Sequence, residues 1–409
     1  MTSIRDPLWN TIVLDDVARR LIDTAVFQRL RYVRQLGLAH LVYPGATHTR
    51  FEHALGAYHL ARRTIAVLGD RRELDGVVDA TERAVVIAAA LLHDVGHHPF
   101  SHALEEIGAQ HHEEAARPLI TTGAVANELR ASIAPDAPER VYALIRGQST
   151  SPLQGLISGS LDLDKIEYLK RDAFMCGVPY GEIDVDRLIN ALTVIHAAPD
   201  TPSGRTTIGV LEKGLSALES LLFAKYQMYR NVYWHHAVRS ATAMYKRLVD
   251  DAIRDRALDE SELSSLTDEG LLHVLEETGS PPLLDALRNR LLYKRAFECA
   301  AGDLPDGTGD WIAADLERVR TTEDRLARDL DLAPGELLLD FPEKPQMLGL
   351  DLPVRLRGGR VRRLTREGLP GSINLPALSD ELYRSARVLR VFVARPVQLG
   401  NDRLRAVLG

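Results

Sequence analysis

Imidazole and carboxylate side chains are concentrated at one point of this chain. The apolar run 84–92 ends at His93-Asp94, and His97, His98 and His102 follow closely. An unpaired ionised carboxylate at the end of a buried apolar segment is costly unless a cation or a hydrogen-bond network compensates it. We therefore interpret this cluster as part of a metal site.

Segments 48–53 and 162–165 contain the same residue types. One helix presents only residues three or four apart on a face, so a mixed imidazole and carboxylate site needs ligands from several elements. The candidate ligands are His53, His93, Asp94 and Asp164. Taken singly, a histidine in an apolar helix is usually a core residue and an aspartate at a helix end is usually a cap. Such mixed donors suit one divalent transition metal, Mn, Fe, Co, Ni or Zn, or alternatively Mg.

Composition limits the class of protein. The chain has 409 residues, 45% of them hydrophobic and 26% charged, which is typical of a folded globular protein. A net charge of −7 argues against a surface devoted to nucleic acid. The distant pair Cys176 and Cys299 excludes a cysteine zinc knuckle and fits a reducing compartment. With neither a signal core nor a long apolar span, we expect a cytoplasmic protein without a membrane partner.

Periodicity predicts a mainly α-helical fold. A first amphipathic helix is expected from Thr24 to Gly37, a second over 51–69, and a third after the Asp79 and Glu82 capping pair. Further helices are expected at 102–108, 112–121, 138–146, 162–175 and 212–250. Segments 193–196 and 206–211 predict a small β-hairpin.

The pattern changes after about residue 255. Segments 336–341, 352–357 and 388–393 are β-like and surround one helix near Ser379–Ala386, which predicts a smaller α+β region. We therefore divide the chain into a catalytic domain, 1–255, and an accessory or oligomerisation region, 256–409. The arginine-rich hairpin Arg355–Arg366 is typical of a solvated face, with polyphosphate or single-stranded nucleic acid as the alternative ligand. We do not expect nucleic acid as the main partner.

The motifs resemble a known family. The order His53, His93-Asp94 and Asp164 is similar to the signature of HD-domain phosphohydrolases. Segments 50–53, 93–102 and 162–168 resemble the deoxynucleoside triphosphate triphosphohydrolase branch of that family. The similarity runs over roughly residues 5–240, and we expect no SAM domain in this chain. It implies a helical HD core and hydrolysis of a dNTP to deoxynucleoside and tripolyphosphate.

The resemblance also implies catalytic roles. His102 would protonate the 5′-oxygen as the bond to the α-phosphorus breaks, and Glu105, three residues on, would hold its tautomer. His97 would contact the α-phosphate, and His112 with Glu113 would complete the network. Alternatively, residues 111–114 are simply a solvated helix start.

Substrate contacts are implied in the same way. Arg50, Lys165 and Lys225 match triphosphate-binding positions, and additional Mg is expected with the triphosphate. Gln35 and Asp172 match a 3′-hydroxyl pair, while Leu36 and Tyr233 match the wall that excludes a 2′-hydroxyl. Three more residues resemble pocket residues, with helix packing as the alternative for this aromatic cluster: Tyr168, Tyr229 and His235.

Regulation is a further implication. Asp23, Gln28 and Arg31 fall on positions that bind a guanine nucleotide activator between subunits in regulated relatives, although a helix cap with surface charge explains them equally well. We therefore expect a homo-oligomer, a dimer or tetramer, activated by a guanine nucleotide or dNTP. Two other functions stay open: another HD phosphohydrolase (a nucleotidase or phosphodiesterase), and a nucleotide-sensing or nucleic-acid-binding protein with a structural metal.

Overall fold

The computed structural model describes residues 2–196, 205–279, 281–343, 351–364, 369 and 374–397. It confirms the mainly α-helical class. Within these ranges no helix is long and apolar enough to cross a membrane.

The first part of the chain begins with a hairpin of two strands, β1 (Thr2–Asp6) and β2 (Asn10–Leu14). A series of helices follows, joined by turns and by longer segments that contain 3₁₀ helices. They are α1 (Asp16–Ile22), α2 (Ala25–Gln28), α3 (Arg50–Asp70), α4 (Ala80–Leu92), α5 (His112–Thr121), α6 (Gly123–Ser132), α7 (Ala137–Ile145), α8 (Leu163–Cys176) and α9 (Val185–Ala191).

The second part mixes helices and strands. Strands β3 (Leu192–Ile195) and β4 (Thr207–Leu211) precede α10 (Leu215–Met228) and α11 (His236–Arg254). Beyond them lie α12 (Asp268–Glu277), α13 (Pro282–Arg288), β5 (Lys294–Ala300), α14 (Trp311–Ala314), α15 (Leu316–Asp329), β6 (Leu337–Asp340), β7 (Leu352–Arg355), β8 (Val361–Leu364), α16 (Leu375–Ala386) and β9 (Val388–Val393).

Helix α4 is the centre of the large apolar core. Its residues from Val85 to Leu92 are largely buried, and α3 and α7 pack on it. Because its apolar residues cover nearly the whole circumference, the helix is stable only when surrounded. Burial of α4 fixes His93 and Asp94 at the point where the helix leaves the core.

Three predicted helices are wrong in form. The segment after Thr24 contains only the short α2, then a 3₁₀ turn over Arg29–Tyr32 and another over Gly37–Leu41. Segment 102–108 forms 3₁₀ turns, and 212–250 is divided by a π-helical turn over Tyr229–Tyr233. Apolar spacing survives such breaks, because tertiary packing decides between α, 3₁₀ and π hydrogen bonding.

Two small sheets contain strands β3 to β9. Strands β3 and β4 pair antiparallel, which confirms the predicted hairpin, and β4 pairs parallel with β7. Strand β7 pairs antiparallel with β8, and β9 lies between β5 and β6 in a second sheet. The boundary near residue 255 stays a prediction, and the sheet of β3, β4, β7 and β8 contains strands from both sides of it. Arg366 of the basic hairpin lies outside the described residues.

Candidate metal centre and histidine cluster

The four candidate ligands converge from three helices. His53 lies in α3, His93 follows the last residue of α4, and Asp164 lies in the first turn of α8. The Nε2 atom of His53 is 3.1 Å from His93 Nε2 and 2.9 Å from Asp164 Oδ1. Asp94 Oδ1 is 3.3 Å from His93 Nε2. Nitrogen and oxygen donors thus meet around one point, as the sequence spacing predicts.

The hydrogen bonds of Nδ1 in His53 and His93 indicate that a cation belongs between their Nε2 atoms. His53 Nδ1 is 2.6 Å from Glu167 Oε2, and His93 Nδ1 is 2.9 Å from the carbonyl oxygen of Ala90. Since both partners are acceptors, they assign the proton of each neutral ring to Nδ1 and leave a lone pair on Nε2. Two lone pairs 3.1 Å apart repel each other unless a cation lies between them. The donor set therefore fits a divalent metal.

Electrostatics favour a positive charge at the same point. Burial lowers the pKa of His53, but hydrogen bonds to Asp164 and Glu167 outweigh it and raise the pKa to about 10. Burial likewise raises the pKa of Asp164, but hydrogen bonds from His53 and His93 bring it well below its usual value. The carboxylate is therefore ionised and available as a ligand.

A chain of contacts behind the ligands reaches the N-terminal hairpin. Glu167 accepts hydrogen bonds from Trp9 Nε1 at 2.9 Å and from Arg171 Nε at 2.7 Å, besides its contact with His53. Arg171 in turn donates to Asp6 Oδ2 at 3.0 Å. Outer contacts of this kind fix the orientation and basicity of a metal-binding imidazole.

A glycine makes room for this carboxylate. A Cβ atom at Gly56 would lie 1.9 Å from Glu167 Oε1, a distance that forces atoms to move. At Gly69 in the same helix, a Cβ atom would meet nothing within 4 Å. Gly56 is therefore a requirement of the site, which the sequence alone does not reveal.

Arg50 joins the metal centre to the next loop. Its Nη1 donates to Asp94 Oδ2 at 2.6 Å, and its Nε donates to Ser101 Oγ at 3.1 Å. Burial raises the pKa of Asp94, but the Arg50 guanidinium and His93 lower it well below its usual value. Arg50, predicted as a phosphate contact, is thus buried against a candidate metal ligand.

A second cluster lies beside the metal centre. Its histidines are His97, His102 and His112, and their rings stand 3.7 to 5.3 Å apart between centroids. Glu105 connects two of them, with Oε2 at 3.2 Å from His102 Nδ1 and Oε1 at 2.7 Å from His112 Nδ1. His97 Nδ1 lies 3.2 Å from Asp94 Oδ1, so the cluster adjoins the ligands. The side chain of His102 is half exposed.

The protein keeps the rings of His97 and His102 neutral. Burial and Arg50 lower the pKa of His97 well below its usual value. Desolvation also lowers the pKa of His102, while the Glu105 carboxylate opposes this effect. The imidazoles consequently carry a lone pair until an added negative charge raises their pKa.

The segment that carries this cluster has an unusual backbone. Between α4 and α5 the chain makes only turns and two 3₁₀ helices, Ser101–Ala103 and Glu105–Ile107. Phe100 and Ser101 have φ angles of 57° and 64°, in the left-handed region that disfavours side chains other than glycine. Such a conformation persists only where surrounding contacts hold it.

Asp172 is a buried carboxylate that contacts both an imidazole and a tyrosine hydroxyl. Asp172 Oδ1 is 2.8 Å from His48 Nε2, and Asp172 Oδ2 accepts from the Tyr233 hydroxyl at 2.7 Å. The backbone N–H of Gln35 donates to the backbone carbonyl of His48 at 3.1 Å, and the neighbouring residue Leu36 is half-buried. His48 was not among the predicted site residues, although its position within segment 48–53 was the available signal.

Tyrosine rings from α8 and the π-helical turn contact one another. The Tyr229 and Tyr233 ring centroids are 4.9 Å apart, and Tyr168 and Tyr233 are 6.5 Å apart. Lys225 is buried in the last turn of α10. His235 caps α11 by accepting from the amide of Ala237 at 3.3 Å. The structure therefore brings the predicted tyrosines together.

Two predicted residues point to other partners. Glu113 pairs with Arg146 at 3.2 Å instead of joining Glu105 and the histidines. The Lys165 ammonium contacts the carboxylate of Asp162 and donates to the carbonyl of Gly159 at 2.9 Å. Both side chains thus form ion pairs outside the histidine cluster.

The predicted regulatory residues lie on the surface near α2. Asp23 is mostly exposed and lies 3.7 Å from Arg19. Gln28 accepts from Arg31 Nε at 2.8 Å, and the Arg31 guanidinium stacks 3.6 Å from the centre of the Phe51 ring. These contacts are local, and a role of the three residues between subunits stays a prediction.

Comparison with known proteins identifies two family regions in this chain. The HD domain matches residues 50–165, and the HD associated region matches residues 183–368. An uncharacterized protein from Methanocaldococcus jannaschii is 36% identical over 350 residues, covering 85% of this chain and 70% of the relative. An uncharacterized Bacillus subtilis protein is 36% identical over 251 residues, of which the match covers 61% of this chain and 55% of the relative.

A relative of known activity is more distant. Human deoxynucleoside triphosphate triphosphohydrolase SAMHD1 is 26% identical over 407 residues, which is 86% of this chain and 62% of that protein. A crystal structure of a hypothetical protein from Aquifex aeolicus superposes with a TM-score of 0.72 and 28% identity, covering all of both chains.

Proposed function

Because the chain belongs to the HD-domain phosphohydrolases with an HD associated region, we propose that it hydrolyses deoxynucleoside triphosphates to deoxynucleoside and tripolyphosphate. One observation carries the proposal. A buried site for a divalent cation adjoins a half-exposed imidazole, His102, whose other nitrogen is held by Glu105. This pairing suits the cleavage of a phosphate ester.

The first requirement is a cation. His53, His93, Asp94 and Asp164 would hold one divalent transition metal, Mn, Fe, Co, Ni or Zn. Such an ion polarises a phosphoryl oxygen and lowers the pKa of water. Glu167 keeps the His53 lone pair directed to this point by accepting the Nδ1 proton.

The second requirement is a proton for the departing 5′-oxygen. Glu105 accepts the Nδ1 proton of His102, which leaves Nε2 for the substrate. The negative charge of an incoming triphosphate raises the pKa of His102, opposing the desolvation that lowers it. The ring then takes up a proton and donates it as the ester bond breaks. His97 and His112 complete the surface against which the α-phosphate lies.

The remaining phosphate charge needs cationic side chains and Mg. We assign Arg50, Lys165 and Lys225 to this role. Lys165 must exchange its contact with Asp162 for a phosphate oxygen, since its ammonium pairs with that carboxylate in this structure. Lys225 supplies a point charge rather than the bidentate fork of an arginine.

The sugar pocket is assigned to the group around Asp172. His48 and the Tyr233 hydroxyl hold the two oxygens of this carboxylate, which with Gln35 would bind the 3′-hydroxyl. Contact with Leu36 and Tyr233 would exclude a 2′-hydroxyl from this pocket. Tyr168, Tyr229 and His235 would line the rest of the pocket, so the proposal specifies dNTPs rather than NTPs.

Product analysis tests the proposal. Purified protein loaded with Mn²⁺ or Fe²⁺ is incubated with each dNTP and each NTP plus Mg²⁺, and the products are separated by ion-exchange chromatography. Tripolyphosphate from dNTPs alone is the expected result. Pyrophosphate or orthophosphate indicates another HD phosphohydrolase, and binding without turnover indicates a nucleotide sensor. Protein stripped of metal by a chelator serves as the blank.

We further propose a regulated homo-oligomer, a dimer or tetramer, in which Asp23, Gln28 and Arg31 bind a guanine nucleotide or dNTP activator. The surface position of these residues is compatible with contact between subunits. Mass measurement and dATP turnover with and without GTP or dGTP check this point. Equal mass and equal turnover in both conditions contradict it.

A further inference from the structure

The loop that carries the histidine cluster is held by a carboxylate from outside the HD domain. Asp268, the first residue of α12, lies in the HD associated region and is 2% exposed. Its Oδ1 accepts from the amide of Phe100 at 2.7 Å, and its Oδ2 accepts from the amide of Arg34 at 3.0 Å. Phe100 precedes His102 by two residues, and Arg34 precedes Gln35 by one.

The backbone amides of Phe100 and Arg34 belong to two segments that pack against each other. Ser101 Oγ lies 2.7 Å from the carbonyl of Arg34 and 3.0 Å from that of Gln35. A Cβ atom at Gly37 would come within 2.7 Å of the carbonyl of Phe100. The loop with the histidines and the segment with Gln35 are therefore closely packed. Asp268 connects both segments to α12 by hydrogen bonds.

The Phe100 conformation needs such a restraint. A left-handed residue other than glycine costs about 1 kcal/mol or more. Tyr245 adds to the restraint, because its hydroxyl donates to the carbonyl of Pro99 at 3.1 Å and its ring packs edge-on against Phe100. Within this group, Asp268 supplies the acceptor for the Phe100 amide itself.

A second bridge connects α12 to the same loop. Arg29 donates to the carbonyl of Leu266, two residues before α12, at 2.7 Å. The same guanidinium donates to the carbonyls of Val95 and His97, at 3.0 and 2.7 Å. The loop is thus attached to the N-terminal end of α12 at Val95, His97 and Phe100.

We propose that Asp268 is a positioning residue: it holds the left-handed Phe100–Ser101 segment, and through it His97 and His102, in register with the metal centre. This inference rests on the proposed function for its effect on rate, while the restraint itself is independent of the substrate. A displacement of about 1 Å at a reacting group costs about 100-fold in rate. Asp268 touches none of the reacting groups, so its effect lies in kcat rather than in metal binding.

Two substitutions of Asp268 weaken its hydrogen bonds to the loop to different extents, and a substitution of Thr267 provides the control. Asp268→Ala removes both acceptors, while Asp268→Asn keeps one acceptor and places an NH₂ against the other amide. Thr267→Ala removes the cap that accepts from Gly270 at 3.1 Å and so weakens α12 without touching either loop. All three lower stability, but only the Asp268 variants should affect the loop.

The first measurement is hydrogen exchange of the peptide containing Phe100, which needs no substrate. We expect faster exchange in Asp268→Asn and Asp268→Ala and wild-type exchange in Thr267→Ala. Equal exchange in all four proteins overturns the proposal. If Asp268→Ala does not fold, the comparison of Asp268→Asn with Thr267→Ala decides.

The second measurement is the kinetics of dATP hydrolysis at saturating metal. We expect kcat to fall about 100-fold in Asp268→Ala and about 10-fold in Asp268→Asn, with KM and metal content within about 3-fold of wild type. Thr267→Ala should stay within about 2-fold for both constants. Loss of metal or a change in KM alone contradicts the positioning role. A wild-type protein without dNTP turnover refutes the proposed function, and hydrogen exchange then still decides on the restraint.

Discussion

The metal centre and the histidine cluster adjoin each other but are held by different means. His53, His93 and Asp164 lie on or at the end of long helices packed in the main core. His97 and His102 lie on a segment without α-helix, restrained by side chains such as Asp268 and Arg29 from distant parts of the chain. The candidate metal ligands are thus positioned by regular elements, while His97 and His102 depend on irregular backbone and its contacts.

The largest effect is expected at the metal centre. Asp164→Ala removes a ligand that lies 2.9 Å from His53 Nε2, so we expect loss of bound metal and a fall in dNTP hydrolysis of about 1000-fold or more. Metal content by plasma mass spectrometry and turnover by product chromatography check this. Asp186→Ala, at an exposed surface pair, is the control. A metal-replete, active Asp164→Ala protein contradicts the ligand assignment.

Substitution in the histidine cluster should separate the two regions. His102→Gln removes the proposed proton donor, and we expect kcat to fall about 100- to 1000-fold while metal content stays at the wild-type level. His111→Gln is the matched control, because His111 is exposed and lies 3.5 Å from the same glutamate, Glu105. Loss of metal in His102→Gln would contradict the separation between the metal centre and the histidine cluster.

A glycine pair tests the support behind the ligands. Gly56→Ala places a methyl group on Glu167 and disturbs its contact with His53, so we expect metal affinity to fall about 10- to 100-fold. Gly69→Ala, in the same helix and in open space, should keep metal affinity and raise the free energy of unfolding by up to about 1 kcal/mol. Competition with a chromophoric chelator and chemical denaturation measure the two effects. Equal metal affinity in both variants refutes the role of Glu167.

The smallest effect concerns pH. Burial raises the pKa of Asp268 from 3.8 to about 6, although amide hydrogen bonds oppose the shift. The native state therefore binds this proton more tightly than the unfolded state, and Asp268 adds stability as pH falls from about 6.5 to 4.5. Relative to Asp268→Asn, the free energy of unfolding of the wild type should rise by about 1–2 kcal/mol over that interval. A difference that is flat or falls with acidification contradicts this direction.

The contrast also explains what the sequence could predict. The ligands of the metal centre follow helical motifs, so their spacing predicted which residues converge. The partners of the second region are far away in sequence: Asp268 is 168 residues from Phe100, and Arg29 is 68 residues from His97. Helical periodicity carries no signal for such long-range contacts. For the same reason, the pattern of residues 102–108 predicted one helix where long-range contacts hold 3₁₀ turns.

The contacts of long charged side chains were not predictable from the sequence either. Glu113 and Lys165 have the residue types that a catalytic network needs, yet they pair with Arg146 and Asp162. A long side chain reaches several partners, so its position in a motif does not determine where its charge lies. The hairpin of β1 and β2 was missed because its short strands lack a clear alternation.

That missed hairpin has a consequence for metal selectivity. Asp6 holds Arg171, Arg171 holds Glu167, and Glu167 sets the electron density on the His53 ring. The preference among first-row transition metals is sensitive to the donor strength of each imidazole. Asp6 is thus connected to the candidate ligand His53 through Arg171 and Glu167, and we expect substitution of Asp6 to alter metal affinity and the preference among metals without removing a ligand.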